Sequence, residues 1–172
     1  MLHRSGVINK NQRGFMLIEV IVATAITSLM SVGITMAISH VLNVNALSTN
    51  HVTALKQVEN AAYWISRDAQ MAQIVQTSGG SGFPLNLSWV EWDNTMHQVS
   101  YSLEANKLER SHSVNSSEPS RTVVAQYINA DSGMTNCQFV DGAFTFRVTA
   151  SVGGFRPVSE TRILQVIPRT AQ

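Results

Sequence analysis

The sequence predicts an α+β fold, with one long N-terminal helix packed on a C-terminal antiparallel β-sheet. Three observations carry this. Val20–Ser39 reads VIVATAITSLMSVGITMAIS, twenty residues without a formal charge. Apolar residues then recur at spacings of three and four as far as Ala72, the period of an amphipathic helix. After Pro84 the pattern changes to short alternating runs separated by turn residues, the period of strands.

Twenty residues at about 1.5 Å each span roughly 30 Å, the thickness of a bilayer's hydrocarbon core. Phe15–Ile18 extends the apolar run, interrupted only by Glu19. A secretory signal peptide has a core of about 7–15 residues, shorter than this one. The bland alternative is a buried helix of a soluble protein, but the run follows a basic stretch. Residues 1–14 carry Arg4, Lys10, Arg13 and His3 and no acid. The positive-inside tendency therefore expects a single-pass protein of the cytoplasmic membrane, N-terminus in, with the chain after about residue 40 extracytoplasmic. Residues 1–14 hold three of the twelve basic residues and none of the eleven acidic ones. Without them the net charge falls from +1 to −2, so the basic balance does not point to a nucleic-acid-binding domain.

The expected organisation is residues 1–14 as a leader and 15–42 as the membrane helix. Residues 43–76 then continue that helix amphipathically, and 77–172 form a β-rich domain. The amphipathic stripe is Val44, Leu47, His51, Leu55, Val58, Ala62, Ile65, Ala69 and Ala72, with Val52 covering for His51. No proline occurs before Pro84, so a helix over 15–76 would be roughly 90 Å long, with Gly33 the weakest point for a bend. Gly79 suits the C-cap. Strands are expected at 87–92, 96–103, 108–112, 143–150 and 159–168, with turns at Asp93-Asn94, 104–107 and 153–157. Val123–Ile128 reads as a strand or a helical turn.

Arg13-Gly14-Phe15-Met16-Leu17-Ile18-Glu19, opening an apolar run, resembles the type IV prepilin signature. The resemblance implies a pilin-like fold and cleavage between Gly14 and Phe15 by a prepilin peptidase. The same enzyme would N-methylate Phe15, and other pilins or pseudopilins would be partners through the helix. Met16 stands where the family often has Thr. A glycine leaves the scissile backbone accessible. Cleavage creates an ammonium at Phe15, four residues from Glu19 and on the same helix face. A carboxylate near mid-membrane costs roughly 2.5–3.5 kcal/mol on insertion scales, and an ammonium partner offsets that. The resemblance allows the partner to belong to a neighbouring subunit, which would make Glu19 a docking residue. The bland reading is a carboxylate that snorkels to the headgroups.

A looser resemblance links residues 60–150 to minor pseudopilins of the J and W types. It rests on Arg67-Asp68-Ala69-Gln70 near the helix end, a tryptophan strand and Val99-Ser-Tyr101-Ser-Leu leading to Leu108-Glu-Arg110. Val123-Val-Ala125 before a Phe-rich strand completes it. It implies a subunit of a type IV pilus or a type II secretion pseudopilus. Two other readings stand beside this: a DNA-uptake or adhesion pilin, and a signal-anchored domain that does not assemble.

Cys137 is the one cysteine, so no intramolecular disulfide forms. It reads as a small packed residue, with a thiol for lipidation or cross-linking as the alternative. His3, His40, His51, His97 and His112 show no metal-ligand spacing, and Asp93, Asp131 and Asp141 no calcium-loop pattern. There is no Gly-x-Ser-x-Gly, P-loop or paired-acid motif. The expectation is a protein with no cofactor, no metal and no enzymatic role. Arg147 and Arg162 are expected on one exposed face, as a solvated strand surface or as contact for nucleic acid or an acidic partner. A nucleic-acid site would need a denser basic stripe.

Overall fold

The computed structural model describes residues 16–78, 82–154 and 157–169. The chain divides into two compact units, one up to Asn45 and one from Ala46 onward. Helix α1, Leu17–Met71, contributes to both and runs through Gly33. Eight strands follow: β1 Ile74–Thr77, β2 Leu85–Val90, β3 Met96–Glu104, β4 Lys107–Val114, β5 Ser120–Gln126, β6 Asn136–Val140, β7 Ala143–Val152 and β8 Val158–Val166. The expected α+β class is what the structure shows.

In the first unit every described residue of α1 is exposed. Its hydroxyls are satisfied locally. Ser28, Ser31 and Thr35 each donate to the carbonyl four residues back at 2.8–2.9 Å, Thr27 does the same to Ala23, and Thr24 donates to Ile21. Such back-bonding lets a helix carry Ser and Thr without presenting unpaired donors to an apolar surrounding.

In the second unit two sheets share one core with the C-terminal part of α1. β1 to β5 form an antiparallel meander in chain order, and β6-β7-β8 form a second antiparallel sheet. The bridge between Ile128 and Ala150 joins them. The sequence suggested a single sheet. It divides because β5 runs into Tyr127, a left-handed residue with φ 60°, after which Ile128 pairs with β7.

The buried face of α1 is Ala54, Val58, Ala61, Ala62, Ile65, Asp68 and Ala69. Leu85, Leu87, Trp89, Val99, Tyr101, Leu108 and Ala125 meet it from the first sheet, and Phe144, Phe146, Val148 and Ala150 come from the second. Burying a side chain of Leu or Phe size contributes about 1.5–3 kcal/mol, and the alanines bring the helix backbone close to these large residues. The expected stripe is buried at Val58, Ala62, Ile65, Ala69 and Ala72, but Val44, Leu47, Val52 and Leu55 are exposed, and Ala54 and Ala61 add to the inward face.

α1 also stops five residues before the expected Gln76. Ile74–Thr77 pairs instead with Leu85–Ser88, and the Gln73 amide bonds both ways with the Val90 backbone. Three β-branched residues in a four-residue segment suit an edge strand better than a last helical turn. The expected cap Gly79 lies outside the described residues.

The turns follow their residue chemistry. Ala105 and Asn106, with φ of 47° and 61°, close β3 to β4, and Asp141-Gly142, with φ of 51° and 78°, closes β6 to β7. Positive φ at both central positions matches the right-handed strand twist.

Candidate functional site

Of the residues singled out in the motif, Gly14, Phe15, Arg4, Lys10 and Arg13 lie outside the described residues. Glu19 lies in the first turn of α1, exposed, with its N–H donating to the Met16 carbonyl at 2.9 Å. Among the described residues it forms no ion pair. Around and beyond it Met16, Leu17, Ile18, Val20, Ile21, Leu29, Met30, Ile34 and Leu42 are all at least half exposed. The segment is long and apolar enough to cross a membrane, and none of its apolar window is buried among the described residues. A contiguous apolar surface of this extent in a monomer marks contact with a membrane or with other protein.

Where α1 lies on the first sheet, a buried polar cluster interrupts the apolar core. Asp68 Oδ2 accepts from Arg110 Nε at 2.7 Å, and Oδ1 accepts from Nη2 at 3.1 Å. Tyr101 Oη donates to the same carboxylate. The Arg110 guanidinium sits 5.0 Å from the centre of the Trp64 ring. Burial first, and then the Asp68 charge, hold the Tyr101 phenol above its ordinary pKa. Burial pulls Arg110 down, but hydrogen bonding and attraction from Asp68 outweigh it, so its pKa is raised. Asp68 belongs to the Arg67–Gln70 stretch, but its partnership with Tyr101 and Arg110 escaped the sequence reading. A carboxylate on an otherwise inward-facing stripe is the signal that points to it.

Beside this cluster His97 and His112 meet across β3 and β4, with Nδ1 and Nε2 3.0 Å apart. Trp89 lies parallel to His97 at 5.0 Å between ring centres. Burial first, then Arg110 and His97, lower the pKa of His112. Spacing could not show this pair, because the β3–β4 register creates it.

Other expectations resolve simply. Cys137 is buried and donates to the Gly82 carbonyl at 3.0 Å. Burial pushes its thiol up to about 12, against the opposing Gly82 hydrogen bond. Arg147 and Arg162 do not share a face. Arg147 stands opposite Ile163 and Arg162 opposite Val148, so the two point to opposite sides of the sheet. Arg162 pairs with Glu59 of α1, and Arg147 donates to the Gly133 carbonyl. The alternation of β7 against β8 overrides the linear spacing of the arginines.

Residues 9–35 match the family model described as the prokaryotic N-terminal methylation motif. No curated protein and no solved structure matches the chain. The motif supports a type IV prepilin-like chain, and with it processing by a prepilin peptidase and assembly with other pilins. The exposed apolar helix fits a single-pass membrane anchor.

Proposed function

We propose that this chain is a prepilin, cut between Gly14 and Phe15 and methylated at Phe15. Its mature form is a minor pilin or pseudopilin that enters, or primes, a type IV pilus or type II secretion pseudopilus. The role is structural rather than enzymatic. The observation that carries it is the first half of α1, a helix that begins inside the methylation motif and whose large apolar side chains are exposed. The helix is held in the cytoplasmic membrane before assembly and in the filament core after it. Glu19 docks by pairing with the N-terminal ammonium of a neighbour. The J- or W-type assignment rests on the order of elements after residue 60, where Arg67-Asp68-Ala69-Gln70 precedes the tryptophan strand.

Intact mass and N-terminal sequencing of the membrane-extracted protein test the processing step. The expected mature chain begins at N-methylated Phe15, and Gly14→Ala should retain the leader. A wild-type chain that keeps residues 1–14 would overturn the proposal in favour of a signal-anchored domain.

A further inference from the structure

We infer that His97 and His112 form a chelating pair for a borderline divalent cation of the Zn(II) or Ni(II) class, with Glu91 as the carboxylate that orients His97. The pair sits at diagonal positions of adjacent antiparallel strands, since His97 is in register with Val114 and Val99 with His112. Both side chains lie on the face that carries Val99 and Leu108. Their facing nitrogens are 3.0 Å apart. A cation bonded at about 2.0–2.1 Å to each would see them roughly 90–95° apart, close to neighbouring positions of a square-planar or octahedral site.

The surroundings favour the ligand form of both rings. Glu91 Oε1 lies 3.3 Å from His97 Nε2, on the side away from His112. A carboxylate there favours the proton on Nε2 and leaves the Nδ1 lone pair facing His112, the arrangement common behind metal-bound histidines. Trp89 lies 6° from parallel with His97 and 13° from parallel with His112, and so limits the freedom of both rings. The His97 side chain is 15% exposed, which gives a cation access from solvent. No group of three protein ligands occurs among the described residues, so water completes the coordination. The charged groups facing the pair are Glu91 after β2, Asp93 in the β2–β3 turn, Arg110 on β4 and Asp68 on α1. Arg110 opposes a cation, but its bidentate pairing with Asp68 offsets its charge.

The alternative is a hydrogen bond between two neutral imidazoles that takes no ion. Zn(II) titration of the full chain in detergent at pH 7.5, followed by calorimetry and tryptophan fluorescence, distinguishes them. The expected result is one equivalent bound, with a change in tryptophan emission. His97→Gln and His112→Gln should each weaken that equivalent by roughly 10-fold or more, Glu91→Gln by about 10- to 100-fold, and His51→Gln should leave it unchanged. Unaltered binding in both histidine variants overturns the inference, as does the absence of a saturable wild-type site. Should the variants misfold, diethyl pyrocarbonate labelling of the wild type decides. Zn(II) should protect His97 and His112 while His51 still reacts, and equal labelling with and without Zn(II) also overturns it.

Discussion

Replacing Asp68 with alanine should remove a large share of the stability of the domain that begins at Ala46. The Asp68 side chain is 5% exposed and that of Arg110 14%, so solvent screens the pair little. The substitution deletes two hydrogen bonds from Arg110 and one from Tyr101, and leaves a guanidinium and a phenol buried without an acceptor. Breaking a buried ion pair from one side costs about 3–5 kcal/mol, against a total of about 5–15 kcal/mol for a domain. Urea unfolding followed by tryptophan fluorescence reads this directly, because Trp64, Trp89 and Trp92 all lie in that domain and Trp64 stacks with Arg110. The partner variant Arg110→Met keeps the aliphatic packing over Trp64 without the charge. Combined with Asp68→Leu it should recover most of the loss, since an apolar pair replaces an ionic one without stranding a charge. A loss under about 1 kcal/mol for Asp68→Ala, or strict additivity in the double variant, would refute the claim that the two residues stabilise as a unit.

Two further outcomes follow from the perturbed groups. The His112 pKa is lowered in the folded state, so the unfolded chain binds its proton first as pH falls. That contribution is intact above the ordinary histidine value of about 6.5 and is lost as pH drops below it; urea midpoints between pH 8 and pH 5 should fall, and less steeply in His112→Gln. The Cys137 thiol, pushed up to about 12 and buried, should resist alkylation at pH 8 in the folded protein and react readily in urea, as measured by mass spectrometry.

The fold class was legible because its two periods are clean. Phe144, Phe146, Val148 and Ala150 alternate as a half-buried strand must, and all four are buried. The helix ending was not legible, because Ile74–Thr77 continues an apolar pattern of either period and only its pairing with β2 decides. β6 was missed although Asp141-Gly142, a strong hairpin signal, stands at its end. The methylation motif was readable as a local string, since its chemistry depends on adjacent residues. The Asp68–Arg110 and His97–His112 pairs were not, being separated by 42 and 15 residues and joined only by the packing of α1 on the sheet and by the β3–β4 register.

Helix α1 uses two residue alphabets for two surroundings. From Ala54 onward it presents mostly alanine and two large aliphatics to its own sheets. Up to Leu42 its large aliphatics are exposed. Lipid and neighbouring helices satisfy that surface about equally, because both are apolar. Glu19 breaks the tie. In lipid its charge is a cost of roughly 2.5–3.5 kcal/mol at mid-membrane and less near the interface, whereas a neighbour's ammonium would turn it into an attraction. Glu19→Val should therefore leave membrane insertion unchanged or improved, while filament counts fall steeply. Fractionation and electron microscopy of the same cells read both effects. Equal loss of insertion and assembly would mean that Glu19 serves the membrane stage and not the docking of one subunit on the next.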